Sequence, residues 1–201
     1  MEINLEKLSG KYVYLELLTE QHKDFLQSAA KDERIWEFTK GFIIDDTFNR
    51  QFDNYFAIAM DKNAMHGQQA FVIRKTADDS IIGMTRFYDI NAKDKRAAIG
   101  YTWYVPSVWG QVYNKECKLL MLQYIFETAG YNRAEFHVAH QNIRSQKAVE
   151  KIGGLKEGVL RKYGYRNDGS IRHTVVFSIL DDEWPEKKEN LLRLISAAEN
   201  H

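Results

Sequence analysis

Hydrophobic and polar positions repeat with two different periods along this chain, and the change of period marks out its elements. Tyr12 to Leu18 is rich in branched and aromatic residues and runs into Thr19 and the polar stretch EQHKDFLQSAA, which predicts a strand followed by a capped helix. Between Asp46 and Lys62, the residues Phe48, Phe52, Tyr55, Phe56 and Ala59 recur at helical spacing, so a second helix is expected with these side chains in the core. Three strand-like runs come next, Ala70 to Lys75, Ile81 to Ile90 and Ala97 to Val105. The turn-forming clusters TADDS and NAKDK separate them, and spacers this short predict an antiparallel meander.

The order then changes to alternating strand and helix. Val112 to Thr128 has the length of a helix and is apolar round most of its circumference, with Gly130 placed to end it, which predicts a buried helix. Arg133 to Val138 sets Ala134, Phe136 and Val138 on one face and Arg133, Glu135 and His137 on the other, and a helix from Asn142 to Ile152 follows. Strand, helix, strand, helix in this order demands a locally parallel pair. Val159 to Tyr165 and Ile171 to Leu180, around the turn RNDGS, predict a closing hairpin, and a charged helix is expected after Trp184 and Pro185. No repeat or low-complexity segment interrupts the pattern, so residues 1–201 are read as one domain of mixed α+β class.

Composition narrows the function classes. The 28 basic and 28 acidic side chains cancel, so no overall field favours a nucleic acid as partner. Cys117 is the single cysteine, which excludes an intramolecular disulfide, and the start MEINLEKLSGK has no apolar core of signal-peptide type. Both point to a cytoplasmic protein. Apolar runs such as LLML and VVFSIL fall far short of the roughly 20 residues of a membrane span, and no metal site is expected.

Candidate chemistry concentrates in Pro106 to Asn114, PSVWGQVYN, which joins a strand end to the buried helix and offers Gly110 for close backbone approach to a ligand. Helix starts present unpaired amides and a positive dipole end, so a phosphate could dock there, with Lys115 and Lys118 adding charge; an ordinary strand-to-helix turn has the same pattern. In the next helix Asn142 stands at the N-cap, and Ser145 shares the inward face with Ala148, Val149 and Ile152. A hydroxyl there either caps a backbone amide or meets a ligand running between the two helix starts.

The segments IGYTWYVPSVWGQVYNKECKLLMLQYIFE, RAEFHVAHQNIRSQKAVEKIGGLKEGVLR and SILDDEWP resemble, over nearly the whole chain, the ribosomal-protein N-terminal acetyltransferase (RimJ/RimL-type) branch of the GCN5-related N-acetyltransferase (GNAT) superfamily. The resemblance implies the GNAT acyl-coenzyme A N-acyltransferase fold, a mixed sheet of about seven strands splayed between the fourth and fifth and flanked by helices. It implies acetyl-coenzyme A as acetyl donor, with the pantetheine arm against Thr102, Trp103, Tyr104 and Val105. The pyrophosphate loop then falls on Trp109 to Lys115, through Gly110, Gln111, Val112, Tyr113 and Asn114, and a coenzyme-amide contact on Asn142. The superfamily loop normally begins with Arg or Gln and has two later small residues, where this chain has Trp109, Val112 and Asn114.

Transfer to an amine needs a neutral nucleophile, a polarised carbonyl and a proton for the departing thiolate. Val149 stands where many relatives carry an acidic tyrosine and Ala98 where they often carry glutamate. The resemblance places Ser145 at the coenzyme sulfur, while Glu135, with His137, is the nearest candidate base. Direct attack by an α-amino group, whose pKa is about 8 rather than the roughly 10.4 of lysine, suits a weak base. Trp36 and His173 are expected to line the acceptor site, for a protein N-terminus or a small amine. A homodimer is compatible with this branch. A non-catalytic acyl-coenzyme A binding or sensing protein is the alternative, since both usual catalytic side chains are absent.

Overall fold

The computed structural model describes residues 3, 5–38 and 41–198. Eight strands form one mixed sheet: β1 (Lys7–Ser9), β2 (Val13–Leu17), β3 (Gln68–Lys75), β4 (Ile81–Asn91), β5 (Arg96–Tyr104), β6 (Arg133–Ala139), β7 (Leu155–Tyr165) and β8 (Ile171–Leu180), in the order β1-β2-β3-β4-β5-β6-β8-β7. The helices are α1 (Lys23–Ala29), α2 (Phe48–Met60), α3 (Tyr113–Gln123), α4 (Ile143–Lys151) and α5 (Trp184–Ala197). The eighth strand beyond the seven expected is β1, which is only three residues long and carries no alternation that would announce it. The long buried helix also differs in detail, because α3 ends at Gln123 and a π-helical turn, Tyr124–Thr128, completes it before Gly130 at φ +67°.

Side-chain alternation feeds two cores, one on each face of the sheet. Val13, Leu15, Phe71, Ile73, Phe87, Ile99, Phe136, Val175 and Phe177 pack under α3 and α5 with Met121, Leu122, Leu191 and Ile195. Their neighbours Ala70, Val72, Met84 and Trp103 point the other way, against Leu26 of α1 and Phe48, Phe52 and Phe56 of α2. The helical spacing of those phenylalanines brings them onto one stripe, where Phe52 stacks on Phe56 with ring centroids 6.2 Å apart.

Two irregularities position the site. β5 and β6 are parallel and pair only at Arg96 with Arg133, Ala97 with Ala134 and Ala98 with Glu135; beyond that the strands diverge. On its other side β5 pairs antiparallel with β4, yet the register slips between Gly100 opposite Arg86 and Trp103 opposite Met84, so Tyr101 and Thr102 together face Thr85. This is a β-bulge, with Tyr101 at φ 50°. Past the bulge Gly83 lets the strands close up: a Cβ there would lie 2.1 Å from the carbonyl oxygen of Trp103.

Candidate active site

The splayed end of β5 leads straight into the loop before α3. Gly110 adopts φ +80°, a left-handed conformation that glycine takes without strain. Among the described residues the backbone N–H groups of Gly110, Gln111, Val112, Tyr113 and Asn114 donate to no protein acceptor, whereas those of Lys115 and Glu116 close onto the carbonyl of Val112. The Trp109 indole N–H donates to the carbonyl of Tyr104 (2.9 Å), fixing the loop to the strand end. Lys115 stands over the loop, its Nζ 3.4 Å from the carbonyl oxygen of Gln111, and partial burial and the like charge of Lys151 lower its pKa. Free amides, a helix dipole and two lysines suit a diphosphate.

Glu116 holds this loop in place. Its carboxylate, 5% exposed, accepts from the backbone N–H groups of Lys11 (2.8 Å), Tyr12 (2.6 Å) and Val13 (2.7 Å), tying the first turn of α3 to the β1–β2 turn. Lys118, expected to add charge at the loop, is directed elsewhere. Its ammonium lies beneath the sheet and donates to Thr102 Oγ1 (2.8 Å) at the bulge, and burial lowers its pKa. Thr102 Oγ1 also lies 2.8 Å from Thr85 Oγ1, so the side chains at the bulge form a chain from β4 through β5 to α3.

The start of α4 adjoins the start of α3: the Arg144 guanidinium stacks on the Trp109 ring 4.1 Å from its centroid. Asn142 caps α4, its Oδ1 accepting from the amide of Ser145 (3.0 Å). The capping alternative considered for Ser145 therefore falls to Asn142 instead, and among the described residues the Ser145 hydroxyl has no hydrogen-bond partner. Thr102 to Val105 thus run directly into the loop Gly110 to Lys115, and Arg144, between Asn142 and Ser145, stacks on Trp109 at the start of that loop; Trp103 and Tyr104 themselves are buried in cores on opposite faces of the sheet.

On the α2 face, the residues of β6 and their neighbours form a second constellation. Glu135 Oε1 accepts from Arg133 Nε (2.7 Å), and Glu135 Oε2 lies 3.1 Å from His137 Nε2. The hydrogen bond to His137 and the pairing with Arg133 lower the Glu135 pKa to about 2. A carboxylate so acidic only accepts, so the hydrogen between the two sits on His137 Nε2, and among the described residues His137 Nδ1 makes no hydrogen bond. Tyr88 spans the split, its ring 5.1 Å from that of Tyr101 at the bulge and 5.9 Å from that of His137. Burial raises the pKa of both Tyr88 and Tyr101.

Two residues expected at the acceptor entrance lie elsewhere. Trp36 is buried, donating from its indole to the carbonyl of Ala30 (2.7 Å) and packing on Phe42, Tyr55 and Trp103, so it backs the site rather than lining it. His173 follows the alternation of Val175 and Phe177, away from His137; its Nδ1 accepts from the amide of Lys162 (3.3 Å) and its ring lies 6.3 Å from His140. The structure adds Glu116, Arg86, Tyr88, Tyr101 and Arg172. The legible signal for two of these was charge inside an apolar run: Arg86 in GMTRFYDI and Glu116 in a buried helix.

Glu37 and Phe38, Gln141 before α4, and the β7–β8 turn with Arg166 and Ile171 line an open cavity of about 350 Å3. Arg166 shapes it, donating to the carbonyl of Ile171 (2.7 Å) and to Gln141. Among the described residues no helix is long and apolar enough to cross a membrane.

The comparisons agree with this geometry. YoaA of Bacillus subtilis strain 168, named an uncharacterized N-acetyltransferase, is 33% identical over 108 residues, 54% of this chain and 60% of YoaA. YdaF of the same organism, whose name proposes a ribosomal N-acetyltransferase, is 32% identical over 112 residues, 55% of this chain and 60% of YdaF. The chain thus spans about three fifths of the length of these curated relatives. A GCN5-related N-acetyltransferase from Brucella melitensis has a crystal structure similar at a TM-score of 0.84 and 26% identity, covering 94% of this chain and 85% of that one. The sequence model of the acetyltransferase (GNAT) domain matches residues 13–154. With the splayed strands and the free amides already in place, this match shows that the chain belongs to the GNAT acetyltransferase family.

Proposed function

We propose that this chain, similar to the ribosomal-protein N-terminal acetyltransferase type, transfers an acetyl group from acetyl-coenzyme A by direct attack of a primary amine, a protein N-terminal α-amino group or a small amine. The observation that carries the reading is the adjacency of three features: unpaired amides from Gly110 to Asn114, the unpaired stretch of β5, and the abutting start of α4. The residues fit a diphosphate-bearing thioester carrier, because the loop offers main-chain donors and the strand edge offers amide partners of the kind a pantetheine arm needs. Val112 and Asn114 keep their amides, so the departure from the family's small residues leaves the donors intact.

Acetyl-coenzyme A supplies the acetyl group as a thioester, whose carbon–sulfur bond breaks as the acceptor nitrogen bonds to the carbonyl carbon. The chain's residues do the rest. Gly110 to Asn114 and Lys115 hold the anionic end, and Thr102 to Val105 align the arm. His137 Nδ1 takes the proton lost by the amine, directly or through one water, and Glu135 and Arg133 fix its ring and tautomer. Glu135 is therefore a positioning residue in this reading, since a carboxylate with a pKa of about 2 is a poor base. Ser145, with a free hydroxyl on the first turn of α4, hydrogen-bonds to the departing thiolate and passes it a proton drawn from solvent, so that the hydroxyl is restored as the thiol forms. Trp36 supports the acceptor side through Tyr55, and His173 stays outside it.

The decisive experiment pairs a thermal shift with thiol release. Acetyl-coenzyme A raises the melting temperature saturably, and a panel of peptide N-termini and small amines releases thiol in proportion to acetylated product. Protection without acetylation of any amine selects the acyl-coenzyme A sensing protein instead. No thermal shift at millimolar coenzyme sinks both.

A further inference from the structure

Among the described residues Arg86 is the largest fully buried side chain, and the transfer described above does not use it. It projects from β4 on the α2 face, opposite Gly100 and next to the bulge, and it is 1% exposed. Its guanidinium is sandwiched between the rings of Tyr55 (4.5 Å to the centroid) and Tyr101 (4.7 Å). Nη1 donates to Gln68 Oε1 (3.2 Å), but the buried Nε and Nη2 have no partner. Those two nitrogens form one edge of the guanidinium, the edge that grips a carboxylate side-on with two parallel hydrogen bonds. The same chain shows this geometry where an acid is present: Arg34 donates from Nε to Asp32 Oδ1 (2.8 Å) and from Nη2 to Asp32 Oδ2 (2.6 Å).

Nothing nearby supplies the missing anion. Glu135 is held by Arg133 and His137, and Asp89 pairs with Arg96 at 2.8 Å. Arg172 of β8 adds a second positive centre on this face; its Nη2 makes only a long contact to the His137 carbonyl (3.5 Å), and its buried Nε is also without a partner. Among the described residues neither Arg86 nor Arg172 forms an ion pair. A buried, unneutralised guanidinium is costly, and an acid placed against its open edge relieves that cost.

We propose that the acceptor is an amine that also bears a carboxylate, an α-amino acid or a close homologue, and that Arg86 takes the carboxylate side-on with Arg172 reinforcing the field. This rests on the acetyl-transfer reading and deepens it. Tyr101, 40% exposed, forms the outer wall of the sandwich, so the acid passes that ring to reach Nε and Nη2. The amine is thereby delivered beside the bulge, where β5 begins to diverge from β6. A polycationic acceptor meets two unpaired arginines and is disfavoured.

The test compares matched amines: glycine, β-alanine and a set of L-amino acids against the corresponding amides, with spermidine as a cationic arm and thiol release as readout. Amidation leaves the amine more often neutral at pH 7.5, so without recognition the amides react faster. The expected result is a kcat/KM ratio of acid over amide of roughly tenfold to a hundredfold, the range of lost charge-assisted hydrogen bonds. Arg86→Gln collapses that ratio towards one, mainly through KM, and Arg86→Lys restores part of it. A wild-type ratio at or below one overturns the inference, as does a folded Arg86→Gln enzyme that keeps the preference. If Arg86→Gln does not fold, the wild-type ratio and Arg172→Gln decide, the latter expected to lower the ratio by a smaller factor. Amides and acids acetylated alike sink this inference alone, whereas coenzyme binding with no amine acetylated sinks the transfer reading and this one together.

Discussion

The two halves of the cleft are built from different material. In the proposed reading the groups facing the coenzyme are main-chain: amides from Gly110 to Asn114, the open edge of β5, and the capped start of α4, with side chains such as Glu116 acting from behind. Those proposed to face the acceptor are side chains gathered from four strands, Arg86 and Tyr88 of β4, Tyr101 of β5, Glu135 and His137 of β6, and Arg172 of β8. A main-chain site depends on the path of the backbone and tolerates changed side chains, which is how Val112 and Asn114 stand in a loop whose relatives carry small residues. A side-chain site depends on each identity, so the two halves should respond oppositely to point substitution.

His137→Gln is the sharpest way to divide them. Losing the proposed base should lower turnover on the order of a hundredfold to a thousandfold, while the coenzyme dissociation constant, read by calorimetry, stays within about twofold. A parallel loss of coenzyme affinity would mean that the halves are not separable. Next in size is Glu116→Ala, which leaves three backbone N–H groups of the β1–β2 turn without their acceptor. Part of that turn reaches water, so about 3 kcal/mol of stability should go, measured by urea unfolding. Coenzyme affinity should fall with it, because the first turn of α3 loses its tether; destabilisation with unchanged affinity would show that the loop holds its shape unaided.

That contrast also decides how much was legible in the sequence. Period and turn chemistry located β2 to β8 and all five helices, because most alternate or repeat over enough residues to declare a buried face and β7, exposed along its length, is announced by the turn RNDGS instead, while β1 has neither signal. Gly110 between strand and helix was a local signal shared with any ordinary turn, and only the resemblance over nearly the whole chain pointed to a coenzyme loop there, one whose main-chain donors need no particular side chain. The acceptor side resisted because its members are far apart in the chain. Arg86 and Arg172 meet around Tyr101 only once the hairpin β7–β8 docks on β6, and nothing local to Trp36 or His173 says which face each will take. Glu135 and His137 were visible as one strand face, but the roles proposed for them were not, because the hydrogen bond from His137 and the pairing with Arg133 together lower the Glu135 pKa, and that geometry forms only in the sheet.

Ser145→Ala is a smaller probe at the seam between the halves. Its hydroxyl makes no hydrogen bond in the protein, so the fold should lose almost nothing. If it protonates the leaving thiolate, turnover falls about tenfold with coenzyme affinity held within about twofold. Equal turnover in single-turnover thiol release would remove Ser145 from the mechanism and leave solvent to protonate the thiolate directly.

The smallest effects test the main-chain claim most directly. Gln111 is exposed and its side chain reaches only the carbonyl of Ser107 (3.0 Å), so Gln111→Ala should leave coenzyme affinity within about twofold despite its place in the middle of the loop. Gly110→Ala adds a single methyl that would meet nothing within 4 Å, yet at φ +80° it forces an L-residue into a left-handed conformation at a cost of about 1 kcal/mol. That strain should appear as a roughly fivefold weaker coenzyme dissociation constant, since the loop relaxes by turning its amides away from the ligand. One methyl would then outweigh the loss of a whole polar side chain next to it. The reverse order, Gln111 sensitive and Gly110 silent, would mean that this loop recognises its ligand through side chains and that the division between the two halves of the cleft is wrong.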